Sequence, residues 1–289
     1  MSNKNKAQLR EEARQEALAR QKKQAQRDKR NRILVFGGLG VAIAALVAVA
    51  AFILVNEGAK KNVEDIPLAE VTDVPSTATE GGGIPVGADL VAGTENEGAP
   101  VVDEYLDYMC PVCGQFEQIN GADVETMLTS GDATVVFHPV SILDRASNGE
   151  EYSTRAASAA YWVADRAPEA FFDFNEALFA NQPEEGTEGL DNEAIADLAE
   201  GAGAPADVAA GIADGTARET FGQYVYSLTN EATANEALVN ADGGFGTPTI
   251  VVDGERFEGW NQPGALLAAV QGGAPAAEED SAEEESSEG

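Results

Sequence analysis

The sequence predicts an α/β domain that carries an inserted helical block and is preceded by a single transmembrane helix. Residues 101–140 have the pattern of strand, helix and strand, and residues 249–270 that of two strands and a helix. Between them, residues 152–238 show Ala-rich helical periodicity. An uncharged apolar run precedes all of this at residues 33–55. Strands that alternate with helices in this way favour the α/β class.

The apolar run predicts a membrane anchor. It holds 23 residues without a charge, and at about 1.5 Å per residue it is roughly 34 Å long, enough to cross a hydrocarbon core of about 30 Å. A cleaved signal peptide would have a shorter apolar region. However, Ala48-Val49-Ala50 resembles a cleavage site, so processing remains an alternative.

The charge around this run predicts its orientation. Residues 1–32 hold eleven Lys or Arg and four Asp or Glu, whereas Lys60 and Lys61 are the only cations shortly after the run. Because basic residues mark the cytoplasmic side, we expect a basic cytoplasmic tail over 1–32 and residues 56–289 outside the cytoplasm. The protein is therefore predicted to be a single-pass protein of the cell membrane with an extracytoplasmic catalytic domain.

The outer part is strongly acidic. After Arg32 the chain has seven Lys or Arg against 46 Asp or Glu, and such a surface repels nucleic acid, which we exclude as a partner. Residues 56–82 are predicted to be a flexible linker and residues 274–289 a disordered acidic tail. The domain then spans residues 83–273, with a helical insertion over about 145–240.

Turn and capping residues delimit the elements of this domain. The predicted order begins with a strand at 101–106, a helix from Pro111 to about residue 128, and a strand at 133–140. In the helical block Pro168 and Asp191 are predicted helix starts, and residues 181–183 and 201–205 are breaks. The last elements are a hairpin with strands at 249–252 and 255–257 around Asp253-Gly254, and a helix over 262–270.

The only two cysteines, Cys110 and Cys113, form a Cys-Pro-Val-Cys sequence where a strand gives way to a helix. A spacing of three puts both sulfurs on one face of the first helical turn. Unpaired N–H groups and the helix dipole stabilise a thiolate there, so Cys110 is the predicted nucleophile and Cys113 the more buried resolving thiol. The sequence thus predicts thiol–disulfide exchange.

A zinc site and a structural disulfide fit the cysteine pair less well. A structural zinc site needs four ligands, and the chain has two cysteines and the single histidine His138, so no metal is predicted. A structural disulfide that closes so short a loop removes little chain entropy. His138, near the end of the second predicted strand, is expected to be a structural residue rather than a catalytic one.

Two motifs resemble a known family. Residues 104–113 (EYLDYMCPVC) resemble the active-site strand and helix of DsbA-like thioredoxin-fold proteins, and residues 246–254 (GTPTIVVDG) are similar to that family's cis-proline loop and hairpin. The separation of 138 positions between Cys110 and Pro248 leaves room for the helical insertion that distinguishes the DsbA-like group. The resemblance covers about residues 83–272 and implies a thioredoxin fold with an inserted helical domain.

The resemblance also implies roles for individual residues. Pro248 would be the cis-proline beside the disulfide, and Thr247 would offer backbone hydrogen bonds to a bound peptide. Glu104 matches the family's buried acid and would shuttle the proton of Cys113. Residues 138–144 and 152–156 resemble the corresponding segments of extracytoplasmic members of this family from high-GC Gram-positive bacteria.

One departure concerns the residues between the cysteines, Pro111 and Val112, which tune the redox potential. DsbA proper has a histidine where this chain has Val112. The loss of one hydrogen bond to a thiolate is worth about 1.5–3 kcal/mol, or roughly 30–65 mV, which predicts a milder oxidant.

We therefore expect an oxidase that introduces disulfides into exported proteins with free thiols. It would act as a monomer without a cofactor other than the Cys110–Cys113 disulfide, which the family implies is renewed by a quinone-linked membrane protein. The alternatives are a reductase or isomerase that uses the same pair, and a non-enzymatic membrane-anchored peptide-binding or chaperone module.

Overall fold

The computed structural model describes residue 63, residues 65–240 and residues 243–272. Three predicted segments lie outside the described residues: the basic tail 1–32, the apolar run 33–55 and the acidic tail 274–289. Within the described part of the chain, no helix is both long and apolar enough to cross a membrane.

A five-stranded mixed sheet forms the centre of the described domain. Its strands in chain order are β1 (Ile84–Val86), β2 (Val101–Leu106), β3 (Thr134–Pro139), β4 (Thr249–Val252) and β5 (Glu255–Arg256). Across the sheet the order is β1-β3-β2-β4-β5. Strands β2 and β3 run parallel, and the other neighbouring pairs are antiparallel. The predicted strands at 101–106, 133–140 and 249–252 are thus confirmed, whereas β1 was not predicted.

The helices of the described residues include one long helix between β2 and β3 and a block between β3 and β4. In chain order they are α1 (Pro111–Ser130), α2 (Tyr152–Arg166), α3 (Phe171–Ala180), α4 (Asn192–Gly201), α5 (Ala206–Ala213), α6 (Thr216–Ala234) and α7 (Ala265–Val270). The helical insertion predicted over about 145–240 therefore corresponds to α2–α6.

The helix ends follow the predicted capping residues in most cases. Pro111 occupies the first turn of α1, and Gly131 ends that helix with a φ of 78°, a left-handed conformation that glycine adopts without steric cost. Asp191 caps α4, because its side chain accepts a hydrogen bond from the Ala194 N–H at 2.8 Å. Pro168 differs from the prediction, since it opens a short 3₁₀ turn just before α3.

Aromatic side chains attach the helical insertion to the sheet. Phe137 of β3 packs edge-to-face against Phe171, with ring centroids 5.6 Å apart. The hydroxyls of Tyr161 on α2 and Tyr224 on α6 both donate to the Gly82 carbonyl at 3.0 Å. These buried contacts tie the insertion to the sheet and to the segment that precedes β1.

Residues 65–82, predicted as part of a flexible linker, instead pack against the domain. Leu68 and Val71 are buried in the hydrophobic core, and the Ser227 hydroxyl donates to the Ile66 carbonyl at 2.8 Å. The Gly-, Thr- and Pro-rich composition correctly indicated irregular backbone. It did not reveal that two apolar residues anchor this segment by burying their side chains.

We expect Leu68→Ala to lower the free energy of unfolding by about 2–3 kcal/mol, because it removes a buried side chain and leaves a cavity. Urea denaturation measures this loss. The matched control is Val74→Ala, since Val74 lies in the same segment but is 48% exposed; its effect should stay within about 0.5 kcal/mol. Equal, small effects for both variants would show that the segment contributes nothing to stability.

Candidate active site

The two cysteines lie at the start of α1, as predicted. Cys110 is the N-cap residue, with extended backbone angles, and Cys113 lies in the first turn. Cys110 is 6% exposed and Cys113 is fully buried. The expected order of exposure is confirmed, although Cys110 is less open than the prediction of an accessible nucleophile suggested. Both are free thiols in this structure.

Hydrogen bonds make Cys110 the more acidic thiol. A side-chain hydrogen bond with Cys113 has the largest effect and lowers the pKa of Cys110 to about 6, although burial acts in the opposite direction. The Thr247 side chain and the N–H groups of Cys113 and Val112 lower the pKa of Cys110 as well. These N–H groups belong to the first turn of α1, where the positive end of the helix dipole also lies. The start of the helix therefore stabilises a thiolate.

Cys113 has the opposite character. Burial raises its pKa well above 9.0, and its hydrogen bond and electrostatic interaction with Cys110 raise it further. The pair is thus asymmetric at neutral pH, with a thiolate at Cys110 and a neutral thiol at Cys113. This is the division of labour that thiol–disulfide exchange requires of a nucleophile and a resolving thiol.

The predicted proline loop lies against the cysteines. The Thr247–Pro248 peptide bond is cis. In the structure the Cys110 thiol donates to the Thr247 carbonyl at 3.2 Å, and the buried Thr247 hydroxyl has no hydrogen-bond partner. That hydroxyl is the side-chain donor available to the sulfur once it is ionised. Thr247 can therefore interact with Cys110 in both protonation states: its carbonyl accepts from the thiol, and its hydroxyl can donate to the thiolate.

The pairing of β2 with β4 brings this loop to the cysteines. The two strands run antiparallel in the centre of the sheet, and Glu104 pairs with Ile250. The loop that precedes β4 consequently meets the loop that follows β2. Residues from opposite ends of the domain thus come together at one edge of the sheet.

Glu104 is buried, as the family resemblance implied, with 1% of its surface exposed. Burial raises its pKa well above 4.5, and the nearby charge of Glu117 raises it further. One oxygen of each carboxyl is buried without a hydrogen-bond partner. Glu117 was not singled out in the sequence, although its position four residues after Cys113 places both on one face of α1. The role of Glu104 as a proton shuttle stays a prediction.

Asp107 is a second buried acid that sequence reasoning missed. Its carboxylate accepts hydrogen bonds from the Met109 N–H and the Leu143 N–H, both at 2.9 Å, and from the Ser153 hydroxyl at 2.7 Å. Burial nevertheless raises its pKa to about 7, against the lowering effect of these donors. Asp107 thereby joins the loop before Cys110 to the start of α2.

The two residues between the cysteines face solvent. Pro111 is exposed and Val112 is 41% exposed. The Val112 side chain has no polar atom to offer the Cys110 sulfur. Only its backbone N–H interacts with that sulfur. The exposed valine instead adds apolar surface directly beside the nucleophile.

His138 is a structural residue, as expected. Its Nε2 lies 2.9 Å from an Asp103 carboxylate oxygen, and its ring stacks on Tyr105 with centroids 4.2 Å apart. His138 pairs with Tyr105 in the sheet, and side chains alternate along β2. His138 therefore lies on the opposite face of the sheet from Glu104 and takes no direct part in the chemistry of the two cysteines.

Comparison with protein families matches this architecture. A family model described as thioredoxin matches residues 86–272. The chain belongs to the thioredoxin family. The matched range includes strands β2–β5, both cysteines and the cis-proline loop, so the predicted thioredoxin fold with a helical insertion is confirmed for the described residues.

Within the thioredoxin family, solved structures from Mycobacterium tuberculosis are similar to this chain. Its reduced DsbA is 34% identical, with 66% of this chain and 91% of that chain covered and a TM-score of 0.52. Its disulfide bond oxidoreductase DsbG, in the reduced form, is 33% identical, with 70% and 91% covered and a TM-score of 0.53. The predicted resemblance to DsbA-like thiol–disulfide oxidoreductases is therefore confirmed.

Part of a larger protein of the same organism is also similar to this chain. The serine/threonine-protein kinase PknE of M. tuberculosis is 30% identical over 173 residues. The match covers 58% of this chain and 29% of the kinase. The chain thus spans less than a third of that relative's length, and the similarity concerns that portion alone.

Proposed function

We propose that this protein is a thiol–disulfide oxidase that introduces disulfides into exported proteins. The observation that carries the proposal is the pairing of a Cys110 thiol of low pKa with a buried Cys113 thiol of high pKa at one helix start. In the reaction, a substrate thiolate attacks the Cys110 sulfur of the disulfide, and Cys113 leaves. A second substrate thiolate then displaces Cys110. The substrate loses two electrons and two protons, and the cysteine pair gains them.

The pKa of Cys110 supports the oxidising direction. A thiolate that is stabilised in the reduced protein makes its disulfide easier to reduce. Relative to a thiol of pKa 9.0, a pKa of about 6 stabilises the reduced form at neutral pH by about 1.4 kcal/mol, or about 30 mV for a two-electron couple. The value also lies between the pKa of about 7 in thioredoxin and about 3.5 in DsbA.

The proposed location rests on the sequence, and the proposed redox partner rests on the family resemblance. We infer that residues 33–55 anchor the chain in the cell membrane, with residues 1–32 in the cytoplasm and the domain outside, where disulfides persist. Substrates there are exported proteins with free thiols. A quinone-linked membrane protein is the proposed acceptor of the two electrons, and the domain works as a monomer.

A reductase or isomerase is the second candidate, because Val112 offers the Cys110 sulfur no side-chain donor. We expect a reduction potential above thioredoxin's value of about −270 mV and below DsbA's value of about −120 mV. Equilibration with glutathione measures it, and oxidation of a reduced, unfolded protein by the disulfide form tests the activity directly. A potential at or below about −270 mV would overturn the oxidase proposal in favour of a reductase.

A further inference from the structure

One side chain of the helical insertion, that of Gln182, contacts the active-site loop at the backbone of Cys110. This residue follows the end of α3, and its backbone N–H donates to the Phe179 carbonyl at 3.2 Å. Its Nε2 donates to the Cys110 carbonyl at 2.8 Å and to the Tyr108 carbonyl at 3.2 Å. The two carbonyls lie on either side of Met109, in the loop that leads from β2 into α1. The Gln182 amide therefore binds two carbonyls of the loop that places Cys110 at the start of α1.

The orientation of this amide follows from its partners. Both are carbonyl oxygens, which only accept hydrogen bonds, so the NH₂ end of Gln182 must face them. The Cys110 carbonyl also accepts the Cys113 N–H at 3.0 Å and the Gly114 N–H at 3.2 Å. Gln182 thus shares an acceptor with the first hydrogen bonds of α1. It acts at the turn whose N–H groups surround the Cys110 sulfur.

Gly114 makes room for this contact. A Cβ atom at Gly114 would lie 2.4 Å from Oε1 of Gln182, closer than non-bonded atoms approach. Gly114 is buried in the first turns of α1, where glycine is a poor helix former. The Gln182 amide can reach the loop because residue 114 has no side chain, although glycine at this position lowers the helix propensity of α1.

We propose that Gln182 is a positioning residue for Cys110: its amide couples the helical insertion to the active-site loop and holds the first turn of α1 around the nucleophilic sulfur. The proposal deepens the proposed oxidase function and rests on it for its biological meaning. The geometry itself is independent of the direction of electron flow. Gln182 acts through the backbone of Cys110 and need not touch the substrate.

The test is the titration of the Cys110 thiolate, followed by its ultraviolet absorbance in the reduced protein. We expect Gln182→Ala to raise the pKa of Cys110 by about 0.5–1 unit, because the first turn is no longer held in place. Gln182→Glu keeps the size of the side chain but turns a second acceptor toward the two carbonyls, so it should raise the pKa at least as much. At neutral pH this rise from about 6 should change the equilibrium constant with glutathione about 2.5- to 5.5-fold, equal to roughly 12–22 mV toward the reducing side.

Gly114→Ala separates positioning from stability. Alanine favours the helix, so thermal stability should be maintained or increased, while the displaced Gln182 amide raises the pKa of Cys110. Gln118→Ala is the matched control, since this glutamine is exposed on α1 and its loss should leave the pKa unchanged. Should Gln182→Ala fail to fold, Gln182→Glu and Gly114→Ala decide the question in the same titration.

An unchanged Cys110 pKa in these folded variants, or an equal change in Gln118→Ala, would overturn the positioning role. A lower melting temperature with an unchanged pKa would do the same, because it would show a purely structural contact. This titration needs no substrate and no redox partner. A failure of the oxidase proposal would appear instead as a wild-type protein that does not oxidise reduced substrates, whatever Gln182 does to the pKa.

Discussion

Replacing Cys113 by alanine is expected to leave Cys110 covalently joined to its substrates. In Cys113→Ala, the Cys110 thiolate still attacks a disulfide in an exported protein, and one substrate sulfur departs as a thiolate. The resulting mixed disulfide persists, because Cys113, which lies one helical turn away and would normally displace the substrate, is gone. We expect net oxidation of dithiol substrates to fall by about two orders of magnitude or more.

The measurement is capture of these adducts from cells in which the full chain is exported, followed by release with a reductant. The matched control is a variant in which both cysteines are alanine, which should capture nothing. Cys110→Ala alone should also capture little, because burial keeps Cys113 protonated and removes it from solvent. If Cys113→Ala and Cys110→Ala captured equal amounts, the assignment of Cys110 as the nucleophile would be wrong.

A loss of stability with rising pH is the second large effect expected. Burial raises the pKa of Asp107 to about 7 and that of Glu104 well above 4.5, so the folded protein holds protons that the unfolded chain releases. The contribution of Asp107 to stability is then fully present below about pH 4 and is lost as pH rises through about 7, and the contribution of Glu104 is lost in the same direction. For Asp107 the difference between 3.8 and about 7 corresponds to roughly 4 kcal/mol as an upper value.

Urea unfolding at a series of pH values tests this effect. The disulfide form should be used, because the low pKa of Cys110 makes the reduced protein more stable above about pH 6 and opposes the trend. Glu104→Gln keeps the shape of the side chain and cannot ionise, so it should show a smaller loss than the wild type. A wild-type protein whose stability rises between about pH 4.5 and 7 would contradict the prediction.

Local patterns in the sequence predict the helix start and the strand at the centre of the site. Pro111 indicates the helix start at which Cys110 and Cys113 lie, and Thr247-Pro248 precedes a strand with clear β-branched character. Short-range rules of capping and alternation suffice for these elements, because each signal depends on residues within a few positions of one another. The cis-proline and its place beside the cysteines, by contrast, were implied by the family resemblance.

The rest of the site depends on contacts between distant parts of the chain. Glu117 is half-buried and α3 packs beside α1, while Gln182 reaches Cys110 from 72 residues away. Asp107 follows a strand, where a polar residue is usually exposed in a turn, yet it is enclosed by the start of α2. Burial of polar residues of this kind follows from tertiary packing, which a single sequence does not display.

The first strand was missed for a related reason. Strand β1 is only three residues long, Ile84–Val86, and contains a proline, which is tolerated because β1 is the edge strand beside β3. The preceding residues 65–82 have turn-rich composition, and Leu68 and Val71 are the two of their hydrophobic side chains that are buried in the core. Too few residues carry the pattern for periodicity to be detected.

The contact between Cys110 and Thr247 joins residues that are 137 positions apart in the chain. A polypeptide leaves the ribosome with its amino end first, so both cysteines emerge well before strand β4 has been made. Until then the nascent chain carries two ordinary thiols without β4 and its preceding loop beside them. The reactive centre is complete only after β4 has been made and has paired with β2.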